Sequence, residues 1–225
     1  MRIDVLRVAD VRCHRADEVR PVAGVTAIIG PNGAGKTSLL RVLAGLLSPT
    51  GGSMEIDGVP LASKPALERA RTVGYLPQFP RLEWPLPVRD AVALGRRALG
   101  LGDGGGAVEA ALTRFDLSAL ADADATRLSG GEQMRVHLAR LAAGGHRLLL
   151  VDEPTASLEP RYQLDVLGQL RALAKDGCAL LLVLHDLPLA ARYCDRLLVL
   201  ADGGQRALGV PSEVLTDALL ESVFR

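Results

Sequence analysis

One stretch decides the fold of this chain: Gly30-Pro31-Asn32-Gly33-Ala34-Gly35-Lys36-Thr37. It matches the pattern G-x-x-x-x-G-K-[ST], which forms a phosphate-binding loop when a strand precedes it and a helix follows it. Residues 25–29 are apolar and partly β-branched, as in a buried strand, and residues 38–45 have a helical pattern. The alternative is a glycine-rich turn that contains a lysine by chance, and the flanking strand and helix count against it. The sequence therefore predicts a strand–loop–helix unit that cradles phosphate groups.

Each part of this loop suits a nucleoside triphosphate. Glycines allow successive backbone N–H groups to point at phosphate oxygens, and the start of the following helix adds its dipole. We expect Lys36 to reach the β- and γ-phosphates and the Thr37 hydroxyl to ligate Mg²⁺. Ser38 supplies a further phosphate contact. The sequence therefore predicts that residues 30–38 bind ATP and Mg²⁺.

Two carboxylates end the apolar run of residues 148–151. Such a run is typical of a strand buried on both faces of a parallel sheet, and ligands of open α/β sheets lie beyond the carboxyl ends of the strands. This placement predicts Asp152 as a ligand of Mg²⁺, through water, and Glu153 as the general base that orients or deprotonates the attacking water. A solvated pair at a strand end is the alternative, and the upstream phosphate loop favours the catalytic interpretation.

A capping box opens the next predicted helix, at Ser129-Gly130-Gly131-Glu132. A well-capped helix alone would explain the serine and the glutamate. It would not explain two glycines in the first turn, where they weaken a helix. Bare glycines let an anion approach the helix N-terminus closely, which predicts a second phosphate contact.

Taken in order, these segments resemble the nucleotide-binding subunit of an ABC transporter, over nearly all 225 residues. The resemblance implies an α/β fold of the P-loop NTPase (RecA-like) type, with a mostly parallel sheet, an antiparallel β edge and an inserted helical subdomain. It implies one ABC ATPase domain over residues 1–225. Residues 1–78 and 146–225 would form the catalytic core, and residues 79–145 the helical subdomain.

The resemblance also implies roles for individual residues. Gln78 matches the glutamine that touches Mg²⁺ and the attacking water and senses a membrane partner, and His185 matches the switch histidine that contacts the γ-phosphate. A histidine that follows a strand is otherwise often structural. The signature segment binds the γ-phosphate of ATP held by the other protomer, and its residues here are Ser129, Gly130, Gly131 and Glu132.

The chain departs from the family pattern at two places. The D-loop reads Ser157-Leu158-Glu159, with glutamate where the family has aspartate, so communication between the two sites is expected to loosen. Upstream of the phosphate loop, the family stacks adenine on an aromatic ring. Only the imidazole of His14 stands there in this chain, with a solvated loop histidine as the alternative, so adenine binding is expected to be weaker.

Composition narrows the class of protein. Apolar residues make up 48% and charged residues 23%, and the 26 basic and 26 acidic residues give a formal net charge of zero. This balance argues against a generic nucleic-acid binder. The three cysteines, Cys13, Cys178 and Cys194, have no metal-ligand spacing and fit a reducing compartment. No apolar stretch reaches the roughly 18 residues of a membrane span, and the first residues lack the apolar core of a signal peptide.

The resemblance implies a subunit that hydrolyses ATP to power an ABC transporter, with other chains forming the pore. ATP would close a head-to-tail dimer of two copies at the cytoplasmic face of the membrane. The partners would be polytopic permease subunits and, indirectly, a substrate-binding protein, with no nucleic acid. Residues 75–78 and 87–96 resemble the subfamily that imports iron chelates (siderophores), haem or cobalamin.

Two alternatives stay open at this point. A non-transport ABC ATPase of the DNA-repair or translation type would carry coiled-coil, zinc or tandem-cassette insertions, and the sequence has none. A P-loop kinase of small molecules would leave the capping box with its glycines unexplained.

Residues 78–97 are the expected docking surface for a membrane subunit. They include Trp84, the only tryptophan, among prolines and arginines. Tryptophan is common in interface anchors. A tryptophan packed inside the helical lobe is the alternative.

Overall fold

The computed structural model describes residues 24–49, 54–56, 58–102, 106–156 and 158–224. The strand predicted near the N-terminus, the predicted adenine contact of His14, Cys13 and the D-loop residue Ser157 lie outside the described residues. The strands, in chain order, are β1 Val25–Ile29, β2 Glu55–Ile56, β3 Val59–Pro60, β4 Val73–Leu76, β5 Leu148–Asp152, β6 Ala179–Val183, β7 Arg196–Ala201 and β8 Gly204–Gly209.

A six-stranded sheet of order β4-β5-β6-β1-β7-β8 forms the centre of the fold. Its first five members run parallel, and β8 closes the edge antiparallel to β7. Strands β2 and β3 form a separate antiparallel pair. The predicted α/β class, with a mostly parallel sheet and an antiparallel edge, is confirmed.

The helices, in chain order, are α1 Lys36–Leu43, α2 Ala66–Thr72, α3 Val88–Arg97, α4 Ala107–Arg114, α5 Gly130–Ala143, α6 Pro160–Lys175, α7 Leu187–Tyr193, α8 Pro211–Val214 and α9 Asp217–Val223. Helix α5 packs against α3 and α4, so the chain between β4 and β5 contributes a group of helices beside the sheet. None of the helices within the described ranges is long and apolar enough to cross a membrane. The division of the chain at residues 79 and 145 stays a prediction.

Strand β5 shows why the sheet is buried on both faces. Leu148 and Leu150 pack with Ile28 and the apolar side of α1, whereas Leu149 and Val151 belong to a larger core that includes α5 and α6. Both sides of the strand are apolar because helices cover both faces of the sheet. Full burial of each such side chain contributes about 1.5–3 kcal/mol to stability.

Strand β8 and helix α2 were not predicted. Strand β8 (GQRALG) is only partly buried and contains two glycines, and its pairing with β7 has an irregularity between Val199 and Leu200. Helix α2 (ALERART) buries only Thr72, so its apolar periodicity is weak. Strand β8 lies at the edge of the sheet, where its pairing with β7 outweighs its weak local pattern.

Candidate active site

The predicted site residues outside the signature segment meet at the carboxyl ends of the parallel strands. The phosphate loop follows β1, Gln78 follows β4, Asp152 ends β5, and His185 follows β6. These four strands are parallel, so their carboxyl ends lie side by side. The topology explains how residues far apart in the sequence reach one site.

The phosphate loop is shaped by two glycines in conformations that other residues rarely adopt. Gly30 has φ 149°, and a Cβ atom at this position would lie 2.0 Å from the carbonyl oxygen of Leu200. Gly35 has φ 90° and forms the left-handed N-cap of α1. The loop can therefore pass close to β7 and turn into the helix because both positions lack a side chain.

Lys36 folds back over the loop. Its Nζ atom donates to the carbonyl oxygens of Gly30 and Pro31, each at 2.9 Å. The side chain is buried, and desolvation lowers its pKa even though Glu153 and Asp152 act in the opposite direction. The ammonium thus lies at the centre of the loop, held by carbonyl groups that phosphate oxygens can replace.

Thr37 and Asp152 form the second part of the site. The Thr37 hydroxyl donates to Asp152 Oδ1 at 3.2 Å. Asp152 is only 1% exposed, and its Oδ2 atom is buried without a hydrogen-bond partner in the described chain. Desolvation, followed by the charge of Glu153, raises the pKa of this carboxyl group. An uncompensated carboxylate oxygen beside a hydroxyl is a donor set that Mg²⁺ fits.

Glu153 is contacted at both carboxylate oxygens. Gln78 Nε2 donates to Oε2, and His185 Nε2 lies 2.5 Å from Oε1. Glu153 also adopts φ 50°, and its backbone N–H donates to the carbonyl oxygen of Val183 at 3.2 Å. The Glu153 side chain is 14% exposed and the His185 side chain 45% exposed. Glu153 thus contacts both other predicted catalytic residues, and a neutral His185 must carry its proton on Nε2 to donate to the carboxylate.

The signature segment forms the predicted capping box. Glu132 Oε2 accepts from the Ser129 backbone N–H at 2.9 Å and from the Ser129 hydroxyl at 2.6 Å, and the Glu132 N–H donates back to Ser129 Oγ at 3.4 Å. The hydroxyl bond is the main reason why the pKa of Glu132 is lowered. A Cβ atom at Gly130 would meet nothing within 4 Å, whereas one at Gly131 would touch the ring of Tyr162. The structure therefore confirms the cap and leaves the bare side of Gly130 open.

Tyr162 was missed at the sequence level. It lies in the first turn of α6, and Gly131 lies in the first turn of α5, so 31 residues separate the two partners. A tyrosine on a helix surface carries no local signal of a contact with a distant glycine. Only the packing of the two helices brings them together.

A groove lies between β4, the segment after Gln78 and helices α3 and α5. It has a volume of about 380 Å³, and Pro80, Arg81, Leu94, His137 and Arg140 contribute to its lining. His137 is buried there, its Nε2 atom has no partner among the described residues, and desolvation lowers its pKa to about 4.

Two aromatic side chains of the predicted docking surface are exposed beside this groove. Phe79 is 67% exposed and Trp84 is 69% exposed. Trp84 lines a smaller cavity of about 220 Å³, which shares Arg81, Leu94 and Arg140 with the larger groove. The tryptophan is therefore not packed inside the helical group.

Comparison with known proteins adds an independent result. A family model described as ABC transporter matches residues 21–156. The hemin import ATP-binding protein HmuV of Pseudomonas entomophila (strain L48) is 45% identical over 214 residues, which cover 92% of this chain and 84% of that protein. HmuV of Bordetella avium (strain 197N) is 43% identical over 208 residues, covering 88% and 80%.

Solved structures agree at the level of the fold. The chain of cbiO1 from Clostridium perfringens, part of the ABC transporter complex cbiONQ, superposes with a TM-score of 0.84 at 25% identity, covering 97% of this chain and 91% of that one. The ADP conformation of MJ1267, an ATP-binding cassette of an ABC transporter, also gives 0.84, at 24% identity with 98% of each chain covered.

Proposed function

This chain belongs to the ABC transporter family of ATP-binding proteins, and we propose that it is the ATP-hydrolysing subunit of an importer of metal chelates of the haem class. One observation carries the hydrolytic part: Gln78 and His185 each contact the carboxylate of Glu153, beside the Thr37–Asp152 pair. The cargo class is supported by relatives named as hemin import proteins, which match about nine tenths of the chain.

The phosphate loop binds the triphosphate of ATP. Its backbone N–H groups and Lys36 hold the β- and γ-phosphates, with Ser38 in support. The carbonyl groups that now hold the Lys36 ammonium are neutral, so phosphate oxygens are stronger partners for it. Thr37, Asp152 and Gln78 would hold Mg²⁺, which, when bound, neutralises charge on the phosphates.

Glu153 acts as the general base for hydrolysis. Its carboxylate accepts the proton of the attacking water, and His185 and Gln78 orient that carboxylate through their contacts with its two oxygens. In the present arrangement each carboxylate oxygen has one partner and keeps a further lone pair, which can accept from the attacking water.

A second copy of the chain completes each site. Ser129, Gly130 and Gly131 bind the γ-phosphate held by the partner's loop, and Glu132 keeps the serine oriented through the cap. The open side of Gly130 suits close approach of an anion. ATP then joins the two copies, and hydrolysis separates them.

A polytopic permease subunit docks on residues 78–97 and places the protein at the cytoplasmic face of the membrane. Exposed Phe79 and Trp84 supply the apolar anchors, and the groove beside them receives a segment of the permease. This docking surface begins at Gln78, which contacts Glu153. Only a few residues of the chain therefore separate the permease contacts from the catalytic residues. A substrate-binding protein would meet the permease on the opposite side of the membrane.

The test has two parts. Purified wild-type protein should release phosphate from ATP only when Mg²⁺ is present. Tagged Glu153→Gln protein, mixed with ATP, Mg²⁺ and detergent-solubilised native membranes, should recover a polytopic permease that is identified by mass spectrometry. The Phe79→Ala/Trp84→Ala variant of the same protein is the matched control and should lose the permease. Recovery of ribosomes or DNA-repair proteins instead of a permease would overturn the transport role.

A further inference from the structure

The aromatic ring of Tyr162 covers one side of Gly131. A Cβ atom built at Gly131 would lie 3.5 Å from Cγ, 3.6 Å from Cδ2 and 3.7 Å from Cδ1 of Tyr162. These are ordinary contact distances, and all three atoms belong to the ring. The contact is therefore made by the ring and not by the phenolic hydroxyl, and it places α6 directly against the signature turn.

The next residue, Gln163, forms hydrogen bonds between the same turn of α6 and the segment that follows Glu153. Its Nε2 atom donates to the carbonyl oxygens of Leu158 at 3.0 Å and Thr155 at 3.4 Å. Its backbone N–H donates to the carbonyl oxygen of Glu159 at 3.1 Å. The first turn of α6 is thus hydrogen-bonded to the carbonyl groups of Thr155, Leu158 and Glu159.

That segment is in turn bonded to Glu153. The Ala156 N–H donates to the carbonyl oxygen of Glu153 at 3.1 Å, and the Leu158 N–H donates to the carbonyl oxygen of Thr155 at 3.3 Å. These hydrogen bonds connect the backbone of Glu153 to the first turn of α6, and the Tyr162 ring connects that turn to Gly131.

The signature turn is held on its other side by Gln133. Its Nε2 atom donates to the carbonyl oxygens of Leu128 at 3.0 Å and Thr126 at 3.3 Å, which fixes the chain entering the cap. The segment is thus held by Gln133 from within α5 and by Tyr162 from α6. Of these two supports, only Tyr162 comes from the element that follows Glu153.

We propose that Tyr162 is a positioning residue whose ring holds the signature turn in place relative to Glu153. Tyr162 thereby couples the site where this protomer hydrolyses ATP to the site that its signature turn completes in the partner. The proposal rests on the proposed function, in which the signature acts on the partner's ATP. Tyr162 is 37% exposed and does not belong to either hydrophobic core cluster of the described residues, and its ring contacts Gly131. A small displacement of a phosphate-binding group is enough to slow a reaction by about a hundredfold.

The test uses the full chain and three variants of α6. Tyr162→Ala removes the ring, Tyr162→Phe keeps it and removes only the hydroxyl, and Leu164→Ala truncates a side chain of similar exposure on the same helix. For each, the kcat and KM of ATP hydrolysis are measured, together with the Kd of a fluorescent ATP analogue in EDTA, where a single phosphate loop binds it. Far-UV circular dichroism confirms folding.

We expect Tyr162→Ala to lower kcat by about tenfold or more while the Kd in EDTA changes by less than about twofold. Tyr162→Phe and Leu164→Ala should keep the wild-type kcat. In a Glu153→Gln background, Tyr162→Ala should also reduce the fraction of ATP-dependent dimer seen by size-exclusion chromatography. Should Tyr162→Ala fail to fold, Tyr162→Leu retains the apolar bulk and replaces it in every measurement.

Three results would overturn the proposal. They are an unchanged kcat in the folded Tyr162→Ala or Tyr162→Leu protein, a Kd that rises in proportion to the loss of kcat, and an equal loss in Leu164→Ala. Failure of the proposed function looks different, because wild-type protein would then not hydrolyse ATP, or Glu153→Gln would hydrolyse it at the wild-type rate. If the wild-type protein hydrolyses ATP and Tyr162→Ala is equally active, only the positioning role of Tyr162 is rejected.

Discussion

The Nε2 atom of His185 lies 2.5 Å from Oε1 of Glu153. This contact joins the ends of two neighbouring parallel strands, and Gln78 engages the second oxygen of the same carboxylate. A carboxylate whose two oxygens both have partners is held in a defined orientation, and each oxygen keeps a lone pair that can accept from water.

Glu153→Gln should abolish turnover and leave ATP binding intact. The amide is nearly isosteric with the carboxylate and cannot accept a proton, so we expect kcat to fall by about a hundredfold or more. Lys36 and the phosphate loop are unchanged, so the Kd of a fluorescent ATP analogue should stay within about twofold of wild type. Phosphate release and fluorescence titration measure the two quantities. Wild-type turnover in this variant would exclude Glu153 as the base.

Local sequence patterns predict single strands and helices, but they do not predict contacts between distant side chains. Strand β1 has the predicted bounds and β5 covers the predicted apolar run, because continuous apolar runs are local signals. The meeting of Gln78, Glu153 and His185 was expected only from the family resemblance, since spacing alone does not pair side chains from three strands. The contact of Tyr162 with Gly131 depends on the angle between two helices, and no local pattern encodes that angle.

Asp152→Asn should stabilise the folded protein in the absence of ligand. The buried carboxylate has an unpartnered oxygen, and burial raises its pKa, so its charge opposes folding at neutral pH. We expect the free energy of unfolding in EDTA to rise by about 1 kcal/mol, measured by urea denaturation. The same variant should lose Mg²⁺-dependent hydrolysis and the added thermal stability that ATP with Mg²⁺ gives the wild type. Lower stability in EDTA would show that the charge is compensated.

Gly131→Ala should fold normally and lose activity. The new methyl group would lie 3.5 Å from the ring of Tyr162, an ordinary contact, and alanine raises helix stability by about 0.5–1 kcal/mol relative to glycine. In the proposed dimer, the methyl group would narrow the space beside the N–H groups that bind the partner's phosphate. We expect an unchanged or higher urea midpoint with kcat lowered by about tenfold or more. Gln133→Ala, at the other support of the turn, is a control in which stability should fall instead.

Protonation of His137 should destabilise the protein in mild acid. Its pKa is about 4 in the folded state, against 6.5 for the free side chain, because of desolvation and the nearby Arg140. The unfolded chain binds the proton more tightly, so stability is complete above about pH 6.5 and falls as the pH drops toward 4. From pH 7 to pH 5 the loss from this residue is about 2 kcal/mol. Urea denaturation at both values should show a smaller loss for His137→Gln, and an equal loss would refute the assignment.

Glu159→Asp should strengthen the start of α6. Glu159 is the N-cap of this helix, and its side chain makes no capping hydrogen bond. Aspartate is one methylene shorter and is among the best N-cap residues, since its carboxylate can accept from the N–H groups of the first turn. We expect a gain of about 0.5–1 kcal/mol in the free energy of unfolding.

The reciprocal change provides the control for this prediction. Asp186 caps α7, where its Oδ1 atom accepts from the Leu189 N–H at 2.8 Å, so Asp186→Glu should lose about as much stability as Glu159→Asp gains. Because α6 carries Tyr162 and Gln163, a firmer first turn should also hold the signature turn more rigidly, and kcat of Glu159→Asp should rise. If stability rises while kcat is unchanged, the glutamate at this position does not limit communication between the two sites. If stability falls, the longer side chain has a structural contact that aspartate cannot replace.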